Sequence, residues 1–145
     1  MIRIFLVTTM FLISVALTPA LAGESKVATL YKNPQCTCCE GYADYLRQNK
    51  YTVTVISTHD LNLIKKQNNV PEDLEGCHTT LIDGYVVEGH VPIATVNKLL
   101  SERPNIKGIS LPGMPMGSPG MSGDKLTPFI IYELSKGTPT VYAVE

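Results

Sequence analysis

Three thiols fall within four positions in Asn33-Pro34-Gln35-Cys36-Thr37-Cys38-Cys39, and a fourth, Cys77, stands beside an imidazole in Gly76-Cys77-His78. Cys36 and Cys39 have the C-x-x-C spacing of dithiol oxidoreductases, which makes them the candidate catalytic pair. Backbone N–H groups at a helix start favour the thiolate, so a helix beginning here predicts at least one partly ionised thiol at neutral pH. Thiolate is also a ligand for soft and borderline metals. The plainer alternative is a disulfide from the cluster to Cys77, the staple of many small exported domains, but a staple uses two cysteines and leaves two to explain. A vicinal Cys38–Cys39 disulfide would be strained.

Other soft or borderline ligands accompany the thiols. His78 adjoins Cys77, which raises its standing above that of an isolated core histidine. His90 lies in Glu88-Gly89-His90-Val91-Pro92 at the start of a helix, where a capping or surface role competes with a ligand role. His59 has no thiol near it in sequence and reads as structural. Met114, Met116 and Met121 sit among glycines and prolines, where no helical core stripe can form, so they are either apolar plugs under a loop or thioether ligands. Thiolate, thioether and imidazole together favour Cu(I); thiolate and imidazole alone would also suit Zn.

The elements that must position these residues follow from local pattern. Lys26 to Lys32 reads as a strand ended by Asn33-Pro34. From Cys39 to Asn49, Tyr42, Tyr45 and Leu46 recur at helical spacing, with Cys39 on the same face. Tyr51 to Ser57 alternates like a strand, and Asp60 to Asn69 carries Leu61, Leu63 and Ile64 in a weaker helical pattern. Thr79–Ile82 and Tyr85–Glu88 flank Asp83-Gly84, the pair a type I′ hairpin turn requires. Pro92 opens a helix whose buried stripe is Ile93, Val96, Leu99 and Leu100, ending at Arg103-Pro104. Residues 109–127 (ISLPGMPMGSPGMSGDKLT) read as irregular. Phe129–Leu134 and Thr138–Val144 then suggest a closing hairpin around Lys136-Gly137. The order β-α-β-α-β-β-α predicts an α/β fold: a thioredoxin-like mixed β-sheet with flanking helices, a Met/Gly/Pro-rich loop and a C-terminal β-hairpin. In such a fold the residue before the hairpin faces the C-x-x-C turn. Many members carry a proline there, where this chain has Cys77-His78.

The 145 residues suit one ordinary domain, and 12 basic against 13 acidic side chains, with no basic block, exclude a nucleic-acid footprint. Residues 1–22 have the form of a secretory signal peptide: Arg3, an apolar run from Ile4 to Leu17, and the small-residue site Ala20-Leu21-Ala22. That run is shorter than the roughly 20 residues a bilayer span needs, so cleavage after Ala22 is expected, leaving residues 23–145 as an exported domain without a membrane anchor. All four cysteines then lie in a compartment that permits disulfides.

Taken together, YKNPQCTCCEGYADYL, GCHTTLIDGYVVEGH and LPGMPMGSPGM resemble the periplasmic CopG-type copper-resistance family. The motifs run from Tyr31 to Met121. The resemblance implies a thioredoxin-like domain in a periplasm that binds copper through its cysteine cluster and handles its redox state; its enzymatic form would be a copper oxidoreductase. By position it implies Cys36, Cys38, Cys39 and Cys77 as thiol ligands for Cu(I), with His78 and His90 beside them. Adjacent thiolates can bridge metals, so several ions are allowed. Met114 and Met121 match the family pattern P-G-M-P-x-G-S-P-G-M, whereas Met116 falls at its open position. Tyr42 departs from the pattern, which usually carries Trp, and this touches packing more than ligation. The implied partners are copper ions and other periplasmic copper-handling proteins. Two readings of another kind stand beside this one: a thiol-disulfide oxidoreductase using Cys36 and Cys39 on protein substrates, and a disulfide-stapled binding module without chemistry.

Overall fold

The computed structural model describes residues 26–135 and 137–145; the expected leader over residues 1–22 and Lys136 of the last turn lie outside them. Seven strands and three helices follow one another as β1 (Lys26–Lys32), α1 (Thr37–Gln48), β2 (Tyr51–Ser57), α2 (Leu61–Gln67), a 3-10 turn (Glu72–Leu74), β3 (His78–Ile82), β4 (Tyr85–Glu88), α3 (Ile93–Glu102), β5 (Gly108–Ser110), β6 (Ile130–Glu133) and β7 (Val141–Val144). The strands form one mixed sheet in the order β2-β1-β3-β4-β5-β6-β7. β1 runs parallel to β2 and antiparallel to β3, and β4 runs parallel to β5. The α/β fold expected from the sequence is therefore present.

Period-two alternation assigns the two faces of the sheet. Ala28, Leu30, Ile82, Val87, Ile109 and Ile131 point to one side, where Cys39, Tyr42, Ala43 and Leu46 of α1 and Val96 and Leu99 of α3 complete the main core. Val86, Leu134 and the half-buried Leu81 and Tyr132 point to the other side and pack with Val70 and Leu74, which follow α2. The Asp83-Gly84 turn has positive φ at both residues, 49° and 84°, as a two-residue type I′ connection requires.

Three local expectations are corrected. α1 begins at Thr37, with Cys36 as its N-cap, so Cys38 and Cys39 both lie inside its first turn. On α2 the buried pair is Leu61 and Lys65, one helical turn apart, while Leu63 is exposed. Ile109 and Ser110, expected to open the irregular segment, instead form β5 with Gly108 between β4 and β6, because Gly108 lets the backbone approach Val86 closer than any side chain would allow. The last hairpin is present as β6 and β7, with a register shift between Ile131 and Tyr132. No helix among the described residues is long and apolar enough to cross a membrane.

Leu30 is fully buried at the centre of the main core. Leu30→Ala is expected to cost about 2–5 kcal/mol, read as a lower urea midpoint with an unchanged slope.

Candidate metal centre

Strand ends and a helix start converge on one point. β1 delivers the chain into the Asn33–Cys36 turn, closed by the Cys36 N–H donating to the Asn33 carbonyl at 3.0 Å, and α1 then carries Cys38 and Cys39. Cys77 immediately precedes β3, whose first residue, His78, pairs with Lys32 at the end of β1. The four sulfurs consequently lie within 4.8 Å of one another. Cys36 and Cys38 are 3.4 Å apart, Cys38 and Cys77 3.7 Å, and Cys39 and Cys77 3.6 Å. Cys36 and Cys39 are joined as a disulfide, and Cys38 and Cys77 are free thiols. The partly ionised thiol expected at a C-x-x-C position is not found there, since each of those sulfurs is bonded to the other. Neither the staple to Cys77 nor the vicinal pair forms. Burial, reinforced by Cys38, pushes the Cys77 thiol up to about 12.

His90 completes the inner wall. It is fully buried, contrary to a surface or capping role. Its Nδ1 lies 2.7 Å from the Pro119 carbonyl, which can only accept, so Nδ1 carries the hydrogen and Nε2 presents its lone pair. That lone pair is 2.8 Å from Cys77 Sγ, and the thiol donates to it. An imidazole held from behind by a carbonyl is the arrangement in which the other nitrogen serves as a metal ligand. His78 is also fully buried; its Nδ1 is 3.6 Å from Cys77 Sγ and its Nε2 has no hydrogen-bond partner among the described residues. Cys77, His78 and His90 thus form a second group of donor atoms within 4.8 Å, sharing Cys77 with the four-sulfur group. Desolvation holds both imidazoles below the ordinary value of 6.5, His78 well below it. Tyr42 packs at a tilt on His78, 4.6 Å between centroids, and meets His90 edge-on at 5.5 Å, and its hydroxyl donates to the Val91 carbonyl at 2.8 Å.

The Met/Gly/Pro loop is a strap across this site. Gly113 donates to the Glu75 carbonyl at 3.0 Å, Pro119 holds His90, and Gly120 packs directly on the backbone of Gly41 and Tyr42 in α1. Gly120 has φ of +81°, and a Cβ there would stand 2.5 Å from the Tyr42 nitrogen. Met114 and Met116 are exposed on the strap and Met121 is half-buried. His59 is exposed and belongs to neither donor group.

Charged residues that the sequence reading passed over hold the backbone behind the thiols. Lys32 is buried, and its ammonium donates to the carbonyls of Asn33, Pro34 and Cys36, each at 3.2 Å, while pairing with Glu40 at 3.1 Å. On the opposite face of the sheet, buried Lys65 pairs with buried Glu88. Lys65 donates to the Gly76 carbonyl at 3.0 Å, and Glu88 accepts from the Gly76 N–H at 2.8 Å and from the Thr79 hydroxyl at 2.7 Å. One signal for Lys32 was present: alternation from Ala28 and Leu30 aims position 32 inward.

Fold and site together define an α/β protein with a cluster of soft donors able to hold a metal. A domain family described as a protein of unknown function, DUF411, matches residues 74–121. No curated protein matches the chain. Two solved structures of a copper resistance protein copG, Form 2 and Form 1, are each 36% identical, with a TM-score of 0.77; the matches cover 84% of this chain and 99% and 98% of those chains. The chain belongs to the CopG copper resistance protein family.

Two expectations follow from this geometry. Below pH 6.5 the unfolded chain protonates its histidines while the buried ones resist, so the unfolded state binds more protons and stability falls as pH drops from about 6.5 toward the folded values. For the metal-free protein the slope of unfolding free energy should approach about 1.4 kcal/mol per pH unit for each imidazole, and urea midpoints between pH 7 and 5 check it. Gly120→Ala should cost at least about 1–2 kcal/mol from the left-handed backbone alone and lift the strap, which NMR would register as loss of the protected His90 Nδ1 proton.

Proposed function

We propose that this chain is an exported copper-binding protein of copper resistance, acting in the periplasm, which takes Cu(I) through Cys36, Cys38, Cys39 and Cys77 with His90 and His78 as flanking ligands. The observation that carries this reading is the gathering of four sulfurs, one of which, Cys77, also meets the lone pair of a buried imidazole, His90. Sulfur-rich sites select soft Cu(I), and a set of bridging sulfurs accommodates more than one ion. Met114 and Met121 enter as thioether ligands carried by the strap. The order β2-β1-β3-β4, with Cys77 facing the α1 start, supports a thioredoxin-like ancestry for the scaffold. The leader pattern of residues 1–22 supports export.

The Cys36–Cys39 disulfide gives the proposal a redox half. Reduced Cys36 and Cys39 can deliver two electrons to two Cu(II) ions, forming two Cu(I), the disulfide and two protons, and an external thiol would restore the pair. Other periplasmic copper-handling proteins would supply and receive the ions. The same disulfide favours a second reading, thiol-disulfide exchange on protein substrates through Cys36 and Cys39. The first reading requires tight metal binding, and the second requires catalysis with metal absent.

The test is an anaerobic Cu(I) titration of reduced residues 23–145 against a competing chelator. Wild type is expected to bind one or more ions tightly, and Cys36→Ser/Cys39→Ser to lose at least tenfold in affinity. A double variant that binds as tightly as wild type would sink the cluster assignment, and negligible wild-type binding together with metal-free disulfide reductase activity would establish the second reading.

A further inference from the structure

The short helix α2 buries two side chains, Leu61 and Lys65, and the second is a cation. Burying an ammonium is costly unless partners are fixed in place to receive it. Lys65 has two: the Glu88 carboxylate at the end of β4 and the Gly76 carbonyl at 3.0 Å. Glu88 accepts in turn from the Gly76 N–H at 2.8 Å through one oxygen and from the Thr79 hydroxyl at 2.7 Å through the other. Side chains from two separate elements thus grip both polar groups of one glycine. Among the described residues neither charged group hydrogen-bonds a thiol or an imidazole, so the grip reaches the donor atoms through the backbone. Cys77 follows Gly76, and His90 lies two residues beyond Glu88. One carboxylate therefore ties the loop that carries the thiol to the strand end that carries the imidazole, and Cys77 Sγ lies 2.8 Å from His90 Nε2.

We propose that Lys65 and Glu88 are the positioning residues of the Cys77–His90 pair: they lock Gly76 against the end of β4 and so hold thiol and imidazole at bonding distance before a metal arrives. The consequence for metal affinity rests on the copper reading above, whereas the thiol–imidazole contact does not. The role is geometric. The two charges cancel, and apolar side chains of similar volume would fill the same space without gripping the backbone.

The experiment compares the reduced wild-type chain, residues 23–145, with Lys65→Met/Glu88→Leu. Replacing both partners leaves the net charge unchanged and strands no ion, and buried pairs exchanged in this way often keep their stability. Two site readouts accompany the urea midpoint: the nitrogen-15 resonance of His90 Nε2 in the metal-free protein, which senses the hydrogen bond from the thiol, and Cu(I) affinity against a competing chelator. The double variant is expected to lose the hydrogen-bonded Nε2 signature and to bind Cu(I) about 10–100-fold more weakly, the range for partners that orient metal ligands. Leu134→Ala, a cavity among Val70, Leu74 and Val86 on the same face of the sheet, should lower the urea midpoint and leave both site readouts at their wild-type values. A double variant that keeps the Nε2 signature, or Leu134→Ala moving it as far, overturns the proposal. A lost signature with unchanged Cu(I) affinity overturns its metal half. If the double variant does not fold, hydrogen exchange of the wild-type Gly76 amide decides: protection equal to that of the β3 amides supports the role, and exchange well ahead of them overturns it. Wild-type protein that binds no Cu(I) defeats the copper reading and leaves the Nε2 resonance to judge the positioning.

Discussion

The site depends on how one residue, Gly76, is held by its two flanking peptide groups. Both of its backbone groups are bound to the buried Lys65–Glu88 pair, the N–H to the carboxylate and the carbonyl to the ammonium. A Cβ at this position would stand 2.5 Å from the Gly89 Cα, so the two chain segments touch backbone to backbone. The residues after these two glycines are Cys77 and His90, and their close approach is what brings thiol and imidazole to 2.8 Å. A buried ion pair gives little net stability over apolar packing, but removing one partner strands a charge at a cost of several kcal/mol. Its contribution here is geometric: it fixes a loop that otherwise has few side chains to hold it.

The sheet separates that support from the chemistry. Lys65, Glu88 and Thr79 occupy one face, while Cys39, Tyr42, His78 and His90 occupy the other. The backbone at Gly76 connects the two, so the charged network adds rigidity without placing a competing carboxylate among the sulfurs. On the functional face the surroundings are apolar and aromatic. Desolvation there keeps both imidazoles neutral and Cys77 protonated in the metal-free state. Neutral imidazole is the metal-binding form, whereas the thiol must lose its proton on loading.

What the sequence made legible, and what it hid, follows from the range of each signal. The Asp83-Gly84 hairpin, the α1 stripe through Cys39 and Tyr42, and the juxtaposition of Cys77 with the C-x-x-C turn are set by local pattern and topology, and all are present. β5 was hidden because its pairing is decided by β4, far away in sequence, and because Gly108 and nearby prolines resemble a loop. The burial of His90 was hidden for the same reason: its partner, the Pro119 carbonyl, belongs to the strap 29 residues later. The burial of Lys65 on α2 was hidden because the apolar pattern there rests on Leu61, Leu63 and Ile64, whereas tertiary contact with Gly76 recruits the lysine. The Met-rich segment was correctly read as irregular, but its role as a strap pinned at Gly113 and Gly120 depends on backbone contacts that no residue pattern encodes.

The geometry also sets a competition. Sulfur in the Cys36–Cys39 bond is unavailable as thiolate, so oxidation and metal loading draw on the same atoms and must be linked. On the copper reading, a metal that binds only the reduced form stabilises that form by RT ln(1 + [L]/Kd), about 4.1 kcal/mol at a thousandfold excess over Kd. For a two-electron couple this is about 90 mV of shift toward resistance to oxidation. Linkage is reciprocal, so formation of the disulfide weakens metal binding by the same factor. Cys38, Cys77 and His90 lie outside the bond and keep donor atoms in either state, which distinguishes a site that would retain part of its ligand set on oxidation from one that would lose all of it. The third thiol between the C-x-x-C pair, and the cysteine-histidine that opens β3, therefore have a physical consequence: they separate the sulfurs of the disulfide from donors that stay in place.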